Sequence, residues 1–373
     1  MVAGVALLPN WSAGAAVTDD PTVDPATKAT FQRLADAVFT DRTNALVDAK
    51  SGQEEGRRQL TSGFSGKVRL SGTQSHEQDS ALSELRGRKS RLAKLGEKYS
   101  AGTTSVKLDA TQVKGRRATV DVTETTTLTY AKTKGTEPKT TGFQAHHELT
   151  FKADRHGDWQ LTGIRDTDDG YLAVNQVAKP AVAAPQTAAD AGPPEAPRSA
   201  TSWPAPAKPK NFSGTGYDYK AMAAYAQKYW NHYNPDYPNF NGEADGGDCT
   251  NFVSQSLKAG GWKHVPGDGT DFHKWFGNSE IQSDSFVGVN EFSWFALSSK
   301  RVTSLANVYQ LDVGDVLQMD FNKDGSKDHS MIVTYRSPQG VPYVTYHSTN
   351  TYNRSVASII ASYPNAAYYA YRT

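Results

Sequence analysis

The chain of 373 residues contains a single cysteine, Cys249. An internal disulfide framework is therefore excluded, and the one thiol has to be explained on its own. Long apolar runs are missing too. The apolar opening MVAGVALLP, at about ten residues, is too short to cross a bilayer, and no later run is longer. An excess of charge of either sign is also absent. With 40 Lys and Arg against 39 Asp and Glu, the net charge of +1 argues against a general affinity for nucleic acid or anionic membranes.

The opening MVAGVALLPNWSAGAAVTDD places Ala13 and Ala15 as in an A-x-A cleavage site. Residues 1–16 thus read as the back half of a secretory signal peptide without its basic start. The expectation is an exported protein, secreted or wall-associated, mature from near Ala16. In that setting an odd cysteine is either paired between molecules or a free reactive thiol. A small buried hydrophobe is the other reading.

Residues 176–212 hold nearly half of the 18 prolines, in KPAVAAPQTAADAGPPEAPRSATSWPAPAKPK, with hardly a large apolar side chain. Such a segment reads as an extended spacer between two folded units. The first unit, 26–175, opens with helical spacing at Phe31, Leu34, Val38 and Phe39, and again at Leu82, Leu85, Leu92 and Leu95. Alternating stretches follow (RATVDVTETTTLTY, FQAHHELTF, DWQLTGI), so a small α+β domain is expected. In element order it resembles the cone-shaped nuclear-transport-factor or cystatin folds. His146 and His147 fall on opposite faces of a strand, so this pair reads as an ordinary solvent-facing strand and not as a metal site.

The chemistry concentrates in 213–373. In GGDCTNFVSQSLKAGG, Asp248 is a plausible N-cap and Cys249 the first helical residue, with Phe252, Val253, Ser256 and Leu257 completing a buried stripe. A thiol at a helix N-terminus meets unpaired N–H groups and the positive end of the helix dipole. Both favour the thiolate, so Cys249 reads as a nucleophile. Its base is then sought on a rigid element. His329 opens the strand HSMIVTY, and His347 closes PYVTYH. The turn Ser337-Pro338-Gln339-Gly340 between them predicts a hairpin in which the two histidines share a face. A register slip of one would bring Ser348 or Asn350 there instead.

DCTNFVSQSLKAGG, the spaced Trp262, Trp275 and Trp294, LDVGDVLQMDF, KDHSMIVTY and VTYHSTN, in this order, resemble the "putative amidase domain" family of secreted bacterial proteins. That family looks like a branch of the papain-like NlpC/P60 and CHAP peptidoglycan hydrolases. The resemblance covers about 217–373. It implies an α+β papain-like fold with a helix-borne nucleophile matching Cys249 and a strand-borne base matching His329. It also implies a third polar group on the next strand, which His347 matches best, with Asn350 in reserve. Gly314 and Asp315 match a structural turn. The implied activity is thiol hydrolysis of an amide in peptidoglycan or a peptide-like substrate, with no cofactor required.

Two further patterns remain. Asp320, Asn322, Asp324, Ser326 and Asp328 follow the spacing of a calcium loop, but position 12 is Met331 where a bidentate Glu is expected. A polar hairpin turn is the alternative to a structural calcium site. Trp262 and Trp294 are candidates for a substrate platform, and core packing is the competing reading. Outside enzymology, the rival is a wall-binding scaffold on an amidase fold. Within it, the rivals are peptide cleavage and acyl transfer.

Overall fold

The computed structural model describes residues 23–48, 68–168, 171–177, 193–241 and 247–373. The signal-peptide reading of 1–16 and the first part of the spacer lie outside them. Among the described residues no helix is long and apolar enough to cross a membrane.

The N-terminal unit runs α1 (Pro25–Asn44), β1 (Val68–Leu70), α2 (Gly72–Lys94), β2 (Tyr99–Lys114), β3 (Arg117–Tyr130), β4 (Thr140–Ala153) and β5 (Trp159–Asp166). Asp24 caps α1 by accepting from the Ala26 and Thr27 amides, and Ser71 caps α2 through the Gln74 amide. Strict alternation in β3 and β4 buries Val120, Val122, Leu149 and Phe151 against Phe31, Leu34, Val38 and Phe39 of α1. Helices first and an antiparallel meander after is the order the sequence predicts.

The C-terminal unit runs α3 (Tyr219–Tyr229), α4 (Cys249–Ala259), α5 (Asp284–Val287), α6 (Val289–Ser298), β6 (Thr303–Leu305), β7 (Val316–Asp320), β8 (His329–Arg336), β9 (Pro342–Tyr346), β10 (Thr351–Ser355), α7 (Val356–Ser362) and β11 (Ala367–Arg372). Its strands are ordered β10-β9-β8-β7-β11-β6. Helices α3 and α4 and the Trp262, Trp275 and Phe292 cluster cover one face. The other face carries Leu317, Met319, Met331, Val333, Val344 and Tyr346, with Val356 and Ile359 of α7 over it. The molecule is thus α+β, with a mixed sheet.

The two units are not held apart by a spacer. Thr351 and Tyr352 of β10 pair antiparallel with Phe143 and Gly142 of β4, which makes one eleven-stranded sheet. Gly142 permits this junction: a Cβ there would sit 2.6 Å from the Tyr352 ring and 2.7 Å from the Thr126 carbonyl. The described part of the Pro/Ala-rich segment is also docked. The Ser199 amide donates to the Tyr368 carbonyl, and Lys210 Nζ reaches Asp315 at 2.7 Å, both groups buried. Backbone groups and one lysine tie the described part of this segment to the C-terminal unit, which its composition alone does not announce.

Candidate active site

Helix α4 begins at Cys249 and ends at Ala259, with Gly260 as its C-cap and Phe252, Val253 and Leu257 fully buried. Burying each such side chain contributes about 1.5–3 kcal/mol, which fixes the helix against the sheet. Its first turn therefore meets the strand that begins at His329. Thr250 Oγ1 lies 2.9 Å from Ser330 Oγ, which in turn accepts from Gln318 Nε2 at 3.0 Å. Backbone hydrogen bonding from the Ser330 and Thr250 amides favours the thiolate over the thiol.

The thiol itself is 2% exposed. Burial pushes its pKa up to about 11, against the opposing pull of those amides and the Thr250 hydroxyl. The thiolate expected from helix position is therefore not the resting form here, because desolvation outweighs the helix terminus.

Asp248 makes no side-chain cap to the helix backbone. Its Oδ1 accepts from Asn251 Nδ2 at 2.8 Å and the Phe240 amide at 3.2 Å, and its Oδ2 meets His347 Nδ1 at 2.5 Å. The imidazole stacks on Phe252 at 4.0 Å between ring centres and touches Tyr233 at 4.4 Å. Its Nε2 faces the Tyr229 carbonyl at 2.8 Å. A carbonyl only accepts, so this pose keeps a proton on Nε2. Cys249, Asp248 and His347 thus share one face of the sheet.

His329 is on the other face. Arg336 pairs with Pro342 and Tyr335 with Tyr343, as the Ser337–Gly340 turn predicts. A bulge at Thr334 then shifts the ladder to Val333 with Val344 and Ile332 with Thr345. Extending that register puts His329 opposite Ser348. The expectation that His347 orients His329 is overturned by this one-residue slip. His329 stacks instead on Tyr171 (4.1 Å, 3°) and meets Tyr346 edge-on. Burial, with Arg354 nearby, pushes its pKa down to about 3, so it is neutral. Its Nε2 finds no hydrogen-bond partner among the described residues.

Residues 216–371 match the family described as "Putative amidase domain". This segment carries that domain. Two proteins of Bacillus subtilis (strain 168), both named as uncharacterized, are similar to the same part of the chain. YhbB is 33% identical over 144 residues, covering 36% of this chain and 44% of the relative. YjcM is 32% identical over 148 residues, covering 37% and 32%. The match thus spans less than half of either relative's length. No solved structure matches.

Within the amidase domain the remaining sequence candidates scatter. Trp262 is buried in the core against Trp275, and Trp294 donates to Glu195 of the Pro-rich segment at 2.7 Å, so neither faces Cys249's surroundings as a platform. Asn350 lies nearer: its Oδ1 accepts from Tyr233 at 3.1 Å, beside His347. Asp320 accepts from the Lys323 and Gly325 amides, Asp324 from Ser326, and Asp328 from Phe321. These carboxylates cap the turn between β7 and β8. Among the described residues no three His, Cys, Asp or Glu are grouped to hold a metal ion. In the N-terminal unit His147 is buried, not solvent-facing, because Glu124 and Asp166 flank it at 3.2 and 2.8 Å. Thr250 and Ser330 were missed, although each directly follows a residue the sequence singles out.

Proposed function

We propose that the amidase domain is a cysteine hydrolase of exported cell-wall chemistry, with Cys249 as nucleophile and peptidoglycan as substrate. The observation that carries this reading is the only thiol of the chain at the start of α4, directly after Asp248, which holds His347 on the same face. His347 takes the role of base and Asp248 the role of its orienting carboxylate. In the competent form Nε2 leaves the Tyr229 carbonyl, Nδ1 carries the ring proton toward Asp248, and the freed Nε2 receives the thiol proton. Sγ then attacks the amide carbonyl, the amides of Ser330 and Thr250 support the oxyanion, and the imidazolium passes its proton to the departing amine. Water hydrolyses the thioester and restores the thiol. A papain-like arrangement of helix and sheet is part of this proposal, as is export through the segment before Ala16.

The test is digestion of purified bacterial peptidoglycan by the wild-type chain and by Cys249→Ala, with mass spectrometry of soluble products. Fragments released only by the wild type are expected, and their masses identify the amide. Equal, empty digests with retained wall binding would replace the hydrolase by a scaffold.

A further inference from the structure

We propose that Gln318, Ser330 and Thr250 form a one-way chain of hydrogen bonds ending on the Cys249 sulfur, in which Thr250 donates to Sγ and the other two position its hydroxyl. The gain to catalysis rests on the hydrolase reading, but the direction of the chain does not.

The fold brings the three side chains together on one face. The alternation in β8 that sends His329 to the far side puts Ser330 and Ile332 on the side of α4. Gln318 of β7 is the cross-strand partner of Ser330 and shares its face, and Thr250 is the second residue of α4. All three are fully buried. Apolar side chains would fill that space with no polar group to desolvate, so what the amide and the two hydroxyls add is an order of donors and acceptors.

One carbonyl sets that order. Gln318 Nε2 lies 2.8 Å from the Val289 carbonyl of α6 and 3.0 Å from Ser330 Oγ. A carbonyl only accepts, so the amide stands with its nitrogen toward both, and its second hydrogen goes to Ser330. This orientation leaves Gln318 Oε1 buried with no partner among the described residues. Ser330 Oγ, already accepting from Gln318, has Thr250 Oγ1 at 2.9 Å as the acceptor for its own hydrogen. Thr250 then has the sulfur, at 3.8 Å, as the acceptor for its hydrogen. The reverse order, from the thiol through Thr250 to Ser330, would leave the Ser330 hydrogen with no acceptor among the described residues.

A hydroxyl aimed at Sγ matters once the thiol proton has left. A hydrogen bond to a charged acceptor is roughly twice as strong as one between neutral groups, so the chain stabilises the thiolate more than the thiol. It does so where burial and the neighbouring Asp248 carboxylate both oppose the thiolate. His347, bonded to Asp248, is the other titratable group of that face.

The test uses the full chain and its unique thiol. Only the thiolate reacts with iodoacetamide, so alkylation of Cys249 at about pH 8, timed by mass spectrometry, reads its population. The variants are Thr250→Val, Thr250→Ser, Gln318→Glu and the double variant of Thr250→Val with Gln318→Glu. Gln318→Glu keeps the shape and reverses the chain. Burial holds the new carboxyl protonated, its one hydrogen goes to Val289, and the Ser330 hydroxyl turns to it as an acceptor. Thr250→Val and Gln318→Glu should each label about threefold slower, from roughly tenfold less thiolate partly offset by its greater nucleophilicity. Thr250→Ser should label like the wild type. In the Thr250→Val background Gln318→Glu should change nothing, because the chain no longer reaches the sulfur. A merely structural role has the opposite sign, since loosened packing exposes the thiol and speeds labelling. Rates equal to or above the wild type in folded Thr250→Val or Gln318→Glu, or additive effects in the double variant, would overturn the chain. If Gln318→Glu fails to fold by circular dichroism, the uncharged Gln318→Met, which removes the donor to Ser330, takes its place in the same cycle with slower labelling again expected. Wild type and variants are then given peptidoglycan. Slower labelling of the variants without digestion by the wild type overturns the hydrolase on that substrate and leaves the chain standing. Digestion by the wild type with labelling unchanged in the variants overturns the chain and leaves the hydrolase.

Discussion

Two histidines occupy the two faces of one sheet, a few residues from each other in the ladder, and their surroundings are opposite. His347 has an oxygen at each nitrogen and a fully buried carboxylate beside it. His329 has aromatic rings on two sides and a nitrogen with no partner. The first environment can hold a charge and hand on a proton. The second suppresses charge. Position at the head of an apolar strand made His329 the stronger candidate in the sequence, yet what decides the role is which face the side chain enters. A single bulged residue, Thr334, decides that.

The comparison is broken most severely by His347→Phe. Loss of the imidazole leaves the buried Asp248 Oδ2 without its partner, and removing one partner of a buried pair costs about 3 kcal/mol or more. Urea unfolding should show that loss, and peptidoglycan release should fall by about 10²-fold or more, the usual share of a positioned base. Asp248→Asn should lower activity while folding better than His347→Phe, because Asn keeps acceptor capacity toward Phe240 and Asn251.

A subtler difference appears in pH. His329 is held well below its unfolded value of 6.5. Below that value the unfolded chain binds a proton the folded chain refuses, so stability is lost as pH falls from 6.5 towards about 3. In His147, burial opposes the charge, but the hydrogen bonds it donates to Asp166 and Glu124 overcome it and raise the pKa to about 9. That contribution is fully present below 6.5 and is lost as pH rises through 9. Stability should therefore peak near neutrality. His329→Phe should flatten the acid limb and His147→Gln the alkaline limb, measured as urea midpoints across pH 4 to about 10. Thiol labelling supplies an independent check. Rates in the wild type should rise about tenfold per pH unit up to the raised Cys249 pKa of about 11, since only the thiolate reacts.

Much of this arrangement was legible in the residues. The apolar stripe from Phe252 to Leu257 places Cys249 at a helix start, and the alternation in β3 and β4 gives the meander. Ser337-Pro338-Gln339-Gly340 gives the hairpin turn, with Gly340 at φ 92°. What could not be read was any effect of burial or of distant chain. The bulge at Thr334 has no Gly or Pro to announce it, and its hydroxyl is instead satisfied by Thr345 across the strand at 3.0 Å. Composition made 176–212 a spacer because prolines bury little, but docking needed only a few backbone bonds and Lys210. Tyr171 lies more than 150 residues from His329 in sequence, so no local pattern connects them. Helix position argued for a thiolate, and the depth of Cys249 reversed the direction.

The smallest expected effect is also the one that tests the assignment of faces. In His329→Phe the ring that stacks on Tyr171 is kept, and the nitrogen with no partner is removed. Replacing an unsatisfied buried group by an apolar one of similar shape is near neutral or stabilising, here by up to about 1 kcal/mol at pH 7. Peptidoglycan release by this variant should match the wild type. A variant that folds as well as the wild type yet releases nothing would assign the base to His329. The ring would then have to reach Cys249 by leaving its stack on Tyr171 and crossing to the other face of the sheet.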